Sequence, residues 1–115
     1  DYAMFRYSLA SALMGDGYFA YAANGGYSSA LWYDEFNVNL GAALQPVTAA
    51  YQNGVYRRDF QNGIVLVNPR GNGTQTVTLG GTFHKILGTQ DPATNNGQTV
   101  TSVTLNAADG IVLTR

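Results

Sequence analysis

The chain has 115 residues, 45% of them hydrophobic but only 11% charged, and a formal net charge of −1. It has no basic run, so the phosphate-neutralising charge that drives nucleic-acid binding is missing, and no apolar run approaches the ~20 residues that span a bilayer. With no cysteine and a single histidine, His84, it excludes disulfides, thiolate nucleophiles, zinc–cysteine sites and multi-histidine metal sites, so neither a metal nor a cofactor is expected.

The first element is a helix over residues 2–14. Phe5, Leu9, Ala12 and Leu13 fall on one apolar stripe, and Gly15 stands where a helix C-cap glycine belongs. Residues 17–22, GYFAYA, read as a short strand with no polar alternation, the pattern of a strand covered on both faces. A Gly/Ser/Asn loop follows at 23–31, then the aromatic-acidic cluster WYDEF at 32–36, then a weakly patterned linker over 37–50 containing Pro46. Strands are predicted at 54–60, 63–68, 75–79, 82–87, 99–105 and 110–114. Their turns are expected at Asn62-Gly63 (type I′), Asn72-Gly73, Gly80-Gly81, 88–98 and Asp109-Gly110. Residues 54–69 and 101–115 then form two hairpins. Val77 and Leu79, and Val103 and Leu105, alternate with hydroxyl residues as in strands with one wet face.

The fold class that follows is mostly β: an antiparallel β-sandwich over residues 51–115, preceded by a helix–strand unit and linker over residues 1–50. The start at Asp1, directly into YAMFRYSLASALMGD, predicts a piece of a longer polypeptide. The single Lys and single Glu leave a surface of amides and hydroxyls, a style that suits an extracellular protein.

The order of these residues resembles a known family. RYSLASALMGDGYFAY, followed by WYDEF and then LG, is similar to the last helix and strand of the TIM-barrel hypothetical glycosyl hydrolases called family-15-like. GVYRRDFQNGIVLVNP through LNAADGIVLTR resembles the β-sandwich that follows such barrels, with Arg58, Asp59, Phe60, Asn68, Pro69, Asp109, Gly110, Leu113 and Arg115 on the shared pattern. The resemblance implies that residues 1–50 are the end of a (β/α) barrel. Only about the last of its eight units is present, so the strand ends that carry the acid and the nucleophile are not in this chain. It implies a C-terminal, non-catalytic portion of a carbohydrate-active protein, with a polysaccharide or oligosaccharide as ligand and the rest of a longer chain or a partner subunit beside it.

Within that reading the substrate-binding residues are Trp32, Tyr33, Asp34 and Glu35. Aromatic faces stack on sugar rings. Asp34 and Glu35 are neighbours, which point in different directions on a helix or a strand, so they are poorly placed to be both carboxylates of a hydrolase. One of them fits a substrate-contacting acid at a barrel mouth; the plainer reading makes both surface acids of a short helix. Trp32 and Tyr33, with Tyr18, Tyr21 and Tyr27, equally fit a core edge. Asp16, Arg57, Arg58, Asp59 and His84 read as structural, Arg58 through an ion pair where sandwich meets barrel. Asn72-Gly73-Thr74 has the form of a glycosylation sequon, and Asp91, Asn95 and Asn96 offer oxygen ligands at no recognised calcium spacing. Two other classes stay open. A free-standing carbohydrate-binding module requires an aromatic row, for which Tyr56, Phe60 and Phe83 are few. A structural subunit would bury residues 2–36 against a partner chain.

Overall fold

The computed structural model describes residues 2–14, 38–44 and 49–115. The predicted strand at 17–22, the loop at 23–31 and the WYDEF stretch lie outside those residues. The described elements are one helix, α1 (Tyr2–Leu13), and six strands: β1 (Ala49–Gln52), β2 (Val55–Phe60), β3 (Gly63–Asn68), β4 (Gln75–Lys85), β5 (Thr99–Leu105) and β6 (Asp109–Thr114). The strands make one antiparallel sheet in the order β1-β2-β3-β6-β4-β5. The fold is mostly β, as the turn spacing predicts.

The sheet curls on itself instead of splitting in two. Residues 75–78 of β4 pair only with β5, whereas His84 and Lys85 pair with Thr114 and Leu113 of β6. Between Thr78↔Ser102 and Phe83↔Val100, residues 79–82 of β4 stand opposite Thr101 alone. Gly80-Gly81, predicted as a turn between two strands, is therefore a bulge within one long strand, with Gly80 at φ +73°. Extra residues on one side of a ladder bend it, and glycine tolerates the conformation.

Curling produces three layers. Val55, Ile64, Leu66, Val77, Leu79 and Leu113 pack between the two halves of the sheet. On the opposite face of β2, β3 and β6, Ala10 and Met14 meet Phe60, Val65, Val67 and Val112. β3 and the first five residues of β6 are buried on both faces, which is why GIVLVN and DGIVL carry no polar alternation. β5 faces solvent on one side and alternates.

α1 packs chiefly on β6, then on β3. Its buried residues are Phe5, Arg6, Leu9 and Ala10; Ala12, predicted inward, is half-buried, and Arg6 faces the sheet. Close approach rests on Gly110. A Cβ there would lie 2.5 Å from the Cβ of Ala10 and 3.0 Å from the Leu66 carbonyl oxygen.

Three turns differ from expectation. The positive-φ Asn-Gly turn is Asn53-Gly54 (φ 51° and 76°), which joins β1 to β2. The β2–β3 turn is Gln61-Asn62, and Gly63 opens β3, where an added Cβ would run into the Leu113 carbonyl. Residues 101–115 are not a hairpin: β5 pairs with β4, β6 pairs with β3 and β4, and Ala107-Ala108 carries the chain between layers, leaving Asp109 and Gly110 inside β6.

The stretch read as a linker also holds structure. Leu44 N donates to Asp59 O (2.9 Å), Gln61 N to Ala42 O (2.9 Å) and Asn62 N to Leu40 O (2.8 Å). β1 covers the other half of the same β2 edge. Side chains at the β1–β2 turn reach across to the first half of β4. Tyr51 Oη donates to Thr78 O (2.7 Å), Asn53 Nδ2 donates to Thr76 O (2.8 Å), and Gln52 Oε1 accepts from Thr78 N (3.0 Å). These amides and a phenol stand in for a neighbouring strand, so that edge keeps its hydrogen bonds.

Asn68 ties the far end of the sheet. Fully buried, it donates to Gly73 O (2.7 Å) and Leu105 O (3.0 Å) and accepts from Asn72 Nδ2 (2.7 Å). Asn68→Leu keeps the volume but removes the partners of three polar groups. Unmet buried groups carry a desolvation penalty, so a loss of about 1–2 kcal/mol is expected in urea unfolding.

Candidate functional site

Trp32, Tyr33, Asp34 and Glu35 lie outside the described residues, as do Asp16, Tyr18, Tyr21 and Tyr27. Described residues on either side of that stretch are anchored to the sheet. At the C-terminal end of α1, buried Arg58 donates from Nη1 to the Leu13 carbonyl (3.1 Å) while its guanidinium lies over the Phe60 ring. Last-turn carbonyls have no partner within a helix, and a cation there also suits the helix dipole. Where the description resumes, Asn62 Nδ2 donates to Asn39 O (3.2 Å), Gly41 N to Asn39 Oδ1 (3.0 Å) and Ala42 N to Gln61 Oε1 (3.2 Å). β2 and the β2–β3 turn thus grip the chain on both sides of residues 15–37. Between the two grips runs an apolar groove of about 310 Å³, lined by Leu9 and Leu13 of α1, Val38, Leu40, Phe60 and Val112.

The described residues contain three acidic side chains, Asp59, Asp91 and Asp109, and each faces an arginine. Arg6 donates from Nε to Asp109 Oδ1 (3.1 Å) and from Nη2 to Asp109 Oδ2 (3.0 Å), a two-pronged pairing, and from Nη1 to Asp91. Burial by itself would lower the pKa of Arg6. The hydrogen bonds and charges of the two carboxylates outweigh it and hold the guanidinium above its ordinary range. The ion pairs join α1 to the 88–98 loop and to the first residue of β6. On β2, Arg57 donates from Nε to Asp59 Oδ1 (2.7 Å) and from Nη1 to Leu79 O (2.7 Å), and Arg115 lies 3.7 Å from Asp59. Arg57 and Asp59 share one face and Arg58 takes the other, as the period of a strand requires.

The other predicted positions are occupied structurally. His84 Nδ1 lies 3.1 Å from Thr99 Oγ1 on the exposed face. Asn72 Nδ2, the atom a glycan would use, already donates to Asn53 O (2.8 Å) and Asn68 Oδ1 (2.7 Å). The carboxylate of Asp91 is taken by Arg6 and Asn95 is buried; among the described residues no group of three or more acids or histidines converges on a metal position. Of the aromatics at 54–115, Phe60 and Phe83 are buried and Tyr56 is exposed, so this part of the sheet carries no aromatic row. Sequence reasoning missed the Arg6 clamp. Its partners lie 85 and 103 residues away along the chain. The available signal was a lone arginine inside an apolar helix.

The family model described as hypothetical glycosyl hydrolase family 15 matches residues 1–64, more than half of the chain. The chain belongs to that family. The match runs from α1 into the start of β3 and does not include the remaining strands. No curated protein and no solved structure matches the chain.

Proposed function

We propose that this chain is the C-terminal, non-catalytic portion of a carbohydrate-active, glycoside-hydrolase-like protein. In this reading α1 and residues 17–22 complete a (β/α) barrel whose other units lie in a longer chain or a partner subunit. The curled sheet is an accessory domain on that barrel. Trp32, Tyr33, Asp34 and Glu35 supply the contacts to a polysaccharide or oligosaccharide, and the working location is extracellular. The observation that carries the proposal is the commitment of every described acid to an arginine. Glycoside hydrolysis needs two carboxyl groups across the scissile bond, one to protonate the leaving oxygen and one to attack or to activate water. The three described carboxylates are already engaged by guanidinium groups, which tie α1, the 88–98 loop, β2 and β6 together.

The test pairs turnover with binding. The 115-residue chain is expected to release no reducing ends from soluble glucans, xylans or mannans. It is expected to be retarded by at least one of them in affinity electrophoresis, and Trp32→Ala is expected to weaken the retardation without changing the melting temperature. Turnover that Asp34→Asn or Glu35→Gln abolishes would refute the non-catalytic reading.

A further inference from the structure

At the N-terminal end of α1, away from the groove beside Leu13, a second hollow of about 300 Å³ opens between the helix, Arg70 and the β5–β6 connection. That volume is at the small end of ligand pockets, enough for a single ring. Met4 and Tyr7 of the helix, Ala107 and Ala108 of the connection, and Arg70 and Asn106 line it. We infer that this hollow is a second saccharide subsite for a neutral sugar residue, with Arg70, Asn106 and the Tyr7 hydroxyl as its polar contacts. The inference rests on the carbohydrate reading above.

Free hydrogen-bonding capacity singles the hollow out. The guanidinium of Arg70 lies 5.7 Å from the centre of the Tyr7 ring. Among the described residues it makes neither an ion pair nor a hydrogen bond, in contrast to Arg6, Arg57, Arg58 and Arg115. Stacking on a ring fixes the plane of a guanidinium while its edge N–H groups stay available. Asn106 accepts from Thr74 through Oδ1 (3.1 Å), leaving its Nδ2 donors to point elsewhere. A planar fork, an amide and a phenol from three separate elements match the vicinal hydroxyls of a pyranose. The apolar side of a ring has the exposed Met4 to lie against.

Charge argues for a neutral ligand. Asp109 lines the hollow but is neutralised by Arg6. The cluster of Arg6, Asp91 and Asp109 carries one excess negative charge, which offsets the single positive charge of Arg70. An anionic sugar gains nothing from such a balance.

The experiment is an amide chemical-shift titration of the full chain with cellotetraose, xylotetraose, mannotetraose and tetragalacturonate, repeated with Arg70→Ala/Asn106→Ala. A neutral tetrasaccharide is expected to shift the amides of Tyr7, Arg70 and Asn106, and the double variant to weaken that response about tenfold with no change in melting temperature. A Tyr7 amide response that the double variant leaves intact, or saccharide binding that shifts none of Tyr7, Arg70 and Asn106, would overturn the subsite while leaving the carbohydrate reading in place. Preference for tetragalacturonate would overturn the neutral ligand class. Failure of every saccharide to shift any amide would bring down the carbohydrate reading itself, and the subsite with it.

Discussion

Asp109→Ala is expected to lower the unfolding free energy by about 3–5 kcal/mol, since breaking a buried ion pair from one side leaves the other charge without compensation. Arg6 is 6% exposed and would keep only Asp91 as a charged partner. Asp109 Oδ1 also accepts from the Gly110 amide at 2.7 Å, so the substitution strands that N–H as well. Domains of this size are stable by about 5–15 kcal/mol in total, so the loss removes a large share of the stability. Urea unfolding followed by far-ultraviolet circular dichroism measures the effect. Removing both members, as Arg6→Met with Asp109→Leu, should cost much less than the sum of the single changes, because no orphan guanidinium remains. The sign of the pH effect follows from Arg6. Its folded-state pKa is raised, so its contribution is complete below the unfolded value and is lost only in strong alkali. The deficit of Asp109→Ala should therefore be the same at about pH 6 and about pH 9. A deficit below about 1 kcal/mol would mean that packing, not the ion pairs, holds α1 in place.

The elements that were legible in the sequence are those whose signal is local. β2, β3, β5 and β6 stand within a residue of their predicted places, because IVLV and GIVL are apolar runs bounded by turn residues, and TVTSVTL carries hydroxyls on its wet side. The errors come from glycine and from distance along the chain. Glycine at 63, 80 and 110 was read as turn chemistry. Gly63 and Gly110 are instead places where another backbone or a helix comes too close for a Cβ, and Gly80 lies in a bulge. Both uses leave the same letter in the sequence. β1 has no apolar alternation in AAYQ and exists because Asn53-Gly54 turns it back on β2. The helix stripe of Phe5, Leu9, Ala12 and Leu13 is right at Phe5 and Leu9 and leaves out Arg6 and Ala10, which are buried. Arg6 is inward because Asp91 and Asp109 wait for it, and no local pattern announces partners so far away. For the aromatic-acidic cluster, which lies outside the described residues, family resemblance alone supplies an expected role. The described structure adds the grips at Leu13 and Asn39 that bracket it.

Gly110→Ala is expected to cost about 3 kcal/mol, the upper end of what one added methyl does in a packed interior. The new Cβ would meet the Cβ of Ala10 at 2.5 Å, the Leu66 carbonyl oxygen at 3.0 Å and the Arg6 carbonyl oxygen at 3.1 Å. Two of these neighbours are backbone atoms, one in the middle strand of the sheet and one in the helix, so no rotamer change relieves the contact. The only soft response is for α1 to lift off β6. Lifting would lengthen the paired Arg6–Asp109 hydrogen bonds, because both residues lie beside the contact in sequence. Steric and electrostatic docking of the helix are therefore coupled through two consecutive residues of β6. A double-mutant cycle reads that coupling. Ala10→Gly removes the nearest clash, at about 1 kcal/mol for a glycine within a helix. If contact with Ala10 is what forces the helix away, Gly110→Ala in the Ala10→Gly background should cost at least about 1 kcal/mol less than in the native chain. Strict additivity would show that the carbonyls of Leu66 and Arg6 set the limit, and that the glycine is required by the backbone of the sheet rather than by the side chain of the helix.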